Sequence, residues 1–288
     1  MKINNMHFPF TNEEIKLKLS SILSHELHEN EINGKLKRIY SCIDNTTLEG
    51  ADNDSKVSKF CSDTLLAVDK SKGVSNVASV CVYPTFVALA KKCLQDTDIK
   101  VASVAGGFPS AQMPLALRLE DVRYAVNEGA DEIDTVISRG WLLDGKYDDV
   151  YNELVAMRNI CGNIKLKVIL ETGELQTIDN IYIASKIAIV AGADFIKTST
   201  GKIAVGATKE AAFAMLTAID EEMKSSGKKI GFKAAGGVRT AEDAALYYTI
   251  VKEILGEEWI TTDLFRIGAS SAANNIISSI VGEPVKFF

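Results

Sequence analysis

Two spacings of apolar residues alternate along this chain. Short apolar runs bounded by glycine or polar clusters fall at residues 38–44, 76–82, 99–104, 132–137, 165–170, 193–197, 229–233 and 264–267, and each predicts a buried strand. Between them lie longer stretches at helical spacing, over 54–72, 84–95, 113–127, 147–160, 177–191, 208–225, 240–255 and onward from about 271. Pro84 stands in a first helical turn, while Gly73, Gly129 and Gly256 stop helices. The segment 240–255 is the clearest: Ala244, Tyr248, Val251 and Leu255 share a face, and Thr240 with Asp243 caps its start. A further helix over 11–33, opened by Thr11 and Glu14 as a capping box and ended near Gly34, precedes the series and serves for packing or as a cap on the barrel bottom. Eight strand-helix units with strands apolar on both faces predict an α/β fold, a single (β/α)8 TIM barrel with an additional N-terminal helix. One domain over 1–288 is expected, with a helical extension at 1–35, the barrel at 36–281 and a tail at 282–288.

Composition narrows the partners. The 288 residues are 47% hydrophobic and 24% charged, with a formal net charge of -6, so a broad basic surface for nucleic acid or anionic membrane is not expected and a small molecule is. No stretch approaches the roughly 20 apolar residues of a membrane span, and the first residues lack a signal-type apolar core. Five cysteines without metal-type spacing fit reduced thiols and a cytoplasmic location. The three histidines, His7, His25 and His28, all lie within the first thirty residues. A Ser-His-Asp triad, a Cys-His pair and an imidazole zinc site are therefore excluded from the rest of the chain. Neither a GxGxxG fingerprint nor a P-loop is present, since Ile196 stands where the latter needs glycine. Catalysis must use lysine, carboxylate, hydroxyl or thiol.

Lys197 is the anomaly. It interrupts the apolar strand at 193–197, and an ammonium there pairs, loses its proton, or lies on a solvated face. An internal repeat bears on the choice: Gly129-Ala130-Asp131-Glu132-Ile133-Asp134-Thr135 aligns without gaps on Gly192-Ala193-Asp194-Phe195-Ile196-Lys197-Thr198. Asp134 and Lys197 thus occupy equivalent positions on strands four and six, and Lys233 a similar one on strand seven. All three are expected in the barrel interior near the strands' C-terminal ends, where barrel enzymes hold their chemistry. A lysine crowded by a second cation in a dry pocket becomes a nucleophilic amine suited to imine formation, with a carboxylate to move protons. A structural Lys-Asp ion pair is the plainer alternative, and it would need only one lysine.

Three glycine-rich loops follow the last strands: Thr200-Gly201-Lys202, Ala235-Gly236-Gly237-Val238 and Gly268-Ala269-Ser270-Ser271. Loops there, with a helix N-terminus, commonly hold phosphate in barrels, although glycine is also what any tight turn needs.

The segments IDNTTLEG, VCVYPTFVALAKK, GADEIDTVI, LKVILETGEL, ADFIKTSTGK, GFKAAGGVRTAEDA and FRIGASS together resemble the deoxyribose-phosphate aldolase family, class I aldolases on a (β/α)8 barrel, from about Asp44 to Ser271. The resemblance implies reversible cleavage of 2-deoxy-D-ribose 5-phosphate to acetaldehyde and D-glyceraldehyde 3-phosphate, without metal or cofactor. Carried over by motif, Lys197 is the Schiff-base lysine, Lys233 perturbs its pKa and Asp134 serves the proton relay. Phosphate would meet Gly201, Lys202, Gly236, Gly237, Ser270 and Ser271, while Asp44 and Cys81 would line the site. The chain departs from the pattern at Phe287-Phe288, where some members of the family carry a tyrosine that assists proton transfer. Lys167, with Glu171 at its strand end, is a rival nucleophile; Cys81 reads as a packed thiol. Another Schiff-base lyase (a transaldolase or keto-acid aldolase) and a non-catalytic phosphosugar-binding barrel are the alternative readings. The sequence leaves assembly into a homo-oligomer open.

Overall fold

The computed structural model describes residues 7–24, 29–71, 73–269 and 271–288, with the backbone alone for 29–33. Eight parallel strands close into a barrel in chain order: β1 (Ile43–Thr46), β2 (Ser79–Val82), β3 (Lys100–Ala105), β4 (Glu132–Val136), β5 (Lys165–Ile169), β6 (Phe195–Lys197), β7 (Gly231–Ala235) and β8 (Phe265–Ala269). Closure comes from β1 pairing with β8, Ile43 opposite Ile267. The helices are α1 (Asn12–Leu23), α2 (Glu29–Ser41), α3 (Asp54–Lys70), α4 (Val87–Cys93), α5 (Leu115–Asn127), α6 (Arg139–Leu143), α7 (Tyr147–Cys161), α8 (Ile178–Val190), α9 (Lys209–Ser226), α10 (Ala241–Leu255) and α11 (Ser271–Val281). Among the described residues, no helix is long and apolar enough to cross a membrane.

Burial explains why these segments form strands. Ile133, Leu166, Val168, Ile196, Phe232 and Ile267 are fully buried, wedged between the barrel wall and the helices outside it. Their neighbours in sequence point the other way, into the barrel, because side chains alternate along a strand. Register partners therefore share a face: Asp134 lies opposite Lys167, Lys197 opposite Lys233, and Lys233 opposite Arg266. Phe195 lies two residues below Lys197, and its ring occupies the space a side chain at Gly231 would need. The Phe195 ring thus packs within the barrel beside Lys167, its register partner.

Two expected boundaries differ. The strand expected over 38–44 begins at Ile43, because residues through Ser41 complete α2, where Ile39 and Tyr40 bury into the core. The helix expected over 11–33 is two helices: α1 stops at Leu23, and Gly34 lies inside α2 rather than ending a helix. His25 and His28 fall outside the described residues. Of the two roles expected for the N-terminal helix, packing or a cap on the barrel bottom, α1 takes the first. It packs against α9 and α10 on the outside of the helical ring through Ile15 and Leu19, with Phe8 and Phe10 against the ring of Phe213. The tail folds back onto α11: the Asn274 side chain accepts from Phe287 N (2.8 Å), and Phe288 stacks obliquely on Phe60.

Candidate active site

The interior ends of β1, β4, β5, β6, β7 and β8 bring seven ionisable side chains together: Asp44, Glu132, Asp134, Lys167, Lys197, Lys233 and Arg266, all buried. Lys197 Nζ donates to Asp134 Oδ2 at 2.8 Å, and Lys233 Nζ donates to the same oxygen at 2.8 Å and to Asp44 Oδ2. Lys167 Nζ reaches Asp134 Oδ1 at 2.6 Å and Glu132 Oε2 at 2.7 Å. Arg266 spans Asp44 Oδ1 (2.5 Å) and Glu132 Oε1 (2.7 Å).

The three amines share one interior but differ in charge state. Burial, then the like charge of Lys233, lowers the pKa of Lys197 below its ordinary value although Asp134 opposes them. For Lys233, burial also disfavours the charge, yet Asp134 and Asp44 outweigh it and raise the pKa. Lys167 behaves alike, with Asp134, Glu132 and Asp44 overcoming its burial. Only Lys197 is thus biased towards the neutral amine, and it stands last in β6, at the C-terminal mouth. Lys167, the rival, is held as an ammonium deeper in the barrel. Burial alone would raise the pKa of Asp134, but Lys167, Lys197 and Lys233 hold it well below the carboxylate range, so it stays an anion. Cys81 is fully buried, and desolvation pushes its thiol up to about 11, so it packs there as a thiol.

The rim loops touch one another. Thr198 N donates to Lys233 O (3.0 Å) and its hydroxyl to Ala235 O (2.9 Å), joining the ends of β6 and β7. Gly201 and Gly236 both have positive φ, +78° and +75°, and a Cβ at Gly236 would lie 3.3 Å from Gly201 Cα. A side chain there would separate the two loops. Thr200 is committed to Glu171 through its backbone N–H (3.1 Å) and hydroxyl (2.5 Å), leaving its side chain a structural rather than a free group. Lys202 Nζ pairs with Glu49 (3.1 Å) across the mouth, and Gly237 on the β7 loop has φ of +81° with open space where a Cβ would stand. Gly268 sits below the rim in β8, where a Cβ would lie 3.1 Å from Lys233 Cε; it makes room for that amine. Ser271 opens α11, and Ser270 lies outside the described residues.

Sequence reasoning gathered Asp44, Cys81, Asp134, Lys197 and Lys233 into one place, and they do meet. It missed Glu132 and Arg266. The signal was available in Phe265-Arg266-Ile267, a charge between apolar strand residues, the same pattern that drew attention to Lys197. A cavity of about 470 Å³ at the opposite, N-terminal end of the barrel, lined by Asn76, Lys100, Lys165, Asp263, Glu132 and Arg266, is separate from the Lys197 mouth.

A parallel eight-stranded barrel with an amine and carboxylate at its C-terminal mouth defines a (β/α)8-barrel enzyme. A family model described as DeoC/LacD family aldolase matches residues 39–258, and the chain belongs to that family. It is 47% identical to the deoxyribose-phosphate aldolase of Mus musculus over 251 residues, covering 84% of this chain and 79% of the relative. The human deoxyribose-phosphate aldolase is also 47% identical, over 252 residues, with the same coverage. A solved structure from Coccidioides immitis, provisionally named a deoxyribose-phosphate aldolase, superimposes with a TM-score of 0.70 at 28% identity, covering 92% of this chain and 98% of its own. The chain is a carbon–carbon lyase.

Proposed function

We propose that this aldolase reversibly cleaves 2-deoxy-D-ribose 5-phosphate to acetaldehyde and D-glyceraldehyde 3-phosphate through an imine on Lys197. The observation that carries the reading is the 2.8 Å contact of Lys197 Nζ with Asp134 Oδ2, an oxygen that Lys233 also holds. Neutral Lys197 attacks the substrate aldehyde and water leaves, giving an iminium that draws electrons from the C2–C3 bond. Loss of the C3 hydroxyl proton breaks that bond and releases glyceraldehyde phosphate; protonation of the remaining enamine and hydrolysis release acetaldehyde. Asp134, directly or through water, takes and returns the protons. Asp44 fixes Lys233, and Cys81 shapes the apolar side of the pocket.

Phosphate binding falls to the backbone N–H groups of Gly201, Gly236 and Gly237, to Ser270 and Ser271 at the start of α11, and to Lys202 in exchange for Glu49. Gly201 and Gly236, whose positive φ values and close approach leave no side chain between the two loops, support that assignment. The chain acts as one barrel domain over 36–281, in a cytoplasmic setting that its five unpaired cysteines favour.

Borohydride added with deoxyribose phosphate should trap a stable adduct that peptide mapping places on Lys197. An adduct on Lys167, or none, overturns the assignment. Assays with acetaldehyde, dihydroxyacetone and pyruvate as donors check the substrate, only the first being expected to couple.

A further inference from the structure

Imine chemistry uses Lys197, Lys233 and Asp134, yet a guanidinium and a third carboxylate lie fully buried beneath them. Arg266 holds Asp44 and both oxygens of Glu132, at 2.7 and 3.0 Å. Glu132 holds Lys167, which lies 2.6 Å from Asp134 and 3.5 Å from Asp44. Lys233 bridges Asp44 to Asp134, and Lys197 ends the series on Asp134. Every member is thus linked to every other through short ion pairs, inside a barrel closed to solvent along its wall.

Four cationic side chains in this cluster face three carboxylates. Net charge is costly where water is absent, so the cluster is driven to shed one proton. Arg266 does not give one up at any accessible pH. Lys233 touches two carboxylates and Lys167 three, whereas Lys197 touches one and has Lys233 as a neighbour. The excess charge therefore falls on Lys197, and its size depends on groups that never meet substrate.

We infer that Arg266 and Glu132 are positioning residues that act through charge: Arg266 occupies carboxylate capacity that would otherwise hold Lys197 as an ammonium, and Glu132 opposes it. The inference rests on Lys197 being the imine-forming amine. Other charged groups near Lys197 are Asp134 on its own side of the barrel, Lys167 on β5, Lys233 on β7 and Asp44 on β1, with the Cys81 thiol on β2. The residues of β3 that face the cluster, Ala102 and Val104, carry none, and Glu171 with Arg139 and Lys202 with Glu49 lie above it in the rim. Around Arg266 stand Asp44, Glu132, Lys167 and Cys42, with Asp263 and its partner Lys165 at the cavity beneath, beside Lys100.

The test uses the full chain with Arg266→Gln, Glu132→Gln and the double substitution. Acetaldehyde condenses with the Lys197 amine with loss of water, and cyanoborohydride delivers hydride to the imine, leaving an N-ethyl lysine whose formation is measured by peptide mass spectrometry from pH 5 to 10. Arg266→Gln should move the midpoint of Lys197 labelling, and the acid limb of kcat/KM, up by about one pH unit. Glu132→Gln should move both down, and the double variant should return both to near the parent. Shifts of one sign, an unmoved midpoint, or a double variant that keeps either single shift overturns the inference. Glu132→Gln preserves shape and leaves Arg266 paired with Asp44, so it decides the sign even if Arg266→Gln does not fold. Label absent from Lys197 in the parent rejects the imine reading itself, an outcome separate from unshifted labelling at Lys197.

Discussion

Glu171 holds Thr200 twice, accepting from its backbone N–H at 3.1 Å and from its hydroxyl at 2.5 Å, although 29 residues separate them in the chain. Glu171 adopts a left-handed backbone conformation, φ 57°, which is rare for a residue with a side chain and costs energy that the surrounding contacts must offset. Arg139 also donates to Glu171 Oε2 at 3.1 Å, which ties the carboxylate to the start of α6. Thr200 in turn receives Lys202 N (3.0 Å), so the carboxylate sets the path of the loop assigned to phosphate.

Glu171→Ala should therefore loosen phosphate recognition before it harms the imine chemistry. Two lost hydrogen bonds to a charged acceptor correspond to a KM increase of about tenfold or more for deoxyribose phosphate. Unphosphorylated deoxyribose should be affected much less. Steady-state kinetics on both substrates check this; an equal loss on both would place Glu171 in the reaction itself.

Lys233→Leu removes the like charge beside Lys197 and leaves Asp134 with fewer cations. Both changes favour the ammonium of Lys197, so the acid limb of the kcat/KM profile should move to higher pH and activity at neutral pH should fall. A profile unchanged in position would remove Lys233 from that role.

Much of the arrangement was legible in the chain because a charge between apolar residues in a short strand stands out. Lys197, Lys233 and Asp134 each carry that signature, and the glycine-led repeat around 129–135 and 192–198 put two of them in register. Pairings were not legible. Arg266 meets Asp44 only because β8 closes against β1, 222 residues away, and no local pattern records which strands become neighbours on closure. Lys167 drew notice only as a rival nucleophile, since its three carboxylate partners come from two other strands. The start of β1 was misjudged for a local reason: Ile39 and Tyr40 are apolar and buried on α2, which a short window does not distinguish from a strand.

Gly268 separates packing from binding. A Cβ there would lie 2.9 Å from Ala235 Cβ and 3.1 Å from Lys233 Cε, so Gly268→Ala must displace the amine or the β7 strand. Overpacking of this kind costs about 1–3 kcal/mol, measured as a lower Tm, and kcat should fall with the displaced Lys233. The preference for phosphorylated over unphosphorylated substrate should stay the same; a selective loss on the phosphorylated substrate would make Gly268 a phosphate contact instead.

Acid sensitivity follows from the same cluster. Asp44 and Asp134 are desolvated, which alone would raise their pKa values, but Arg266, Lys233 and Lys167 hold Asp44, and Lys167, Lys197 and Lys233 hold Asp134, well below the carboxylate range. The unfolded chain therefore binds protons at a pH where the folded chain does not. The stability these carboxylates contribute is complete above about pH 4 and is lost progressively as pH falls below it. Thermal melting from pH 3 to 7 should show a steep acid limb. Asp134→Asn should flatten part of that limb while lowering stability at pH 7 by about 3–5 kcal/mol, because Lys167, Lys197 and Lys233 lose their shared anion. Parallel acid limbs for the parent and Asp134→Asn would mean that the acid sensitivity arises outside the barrel interior.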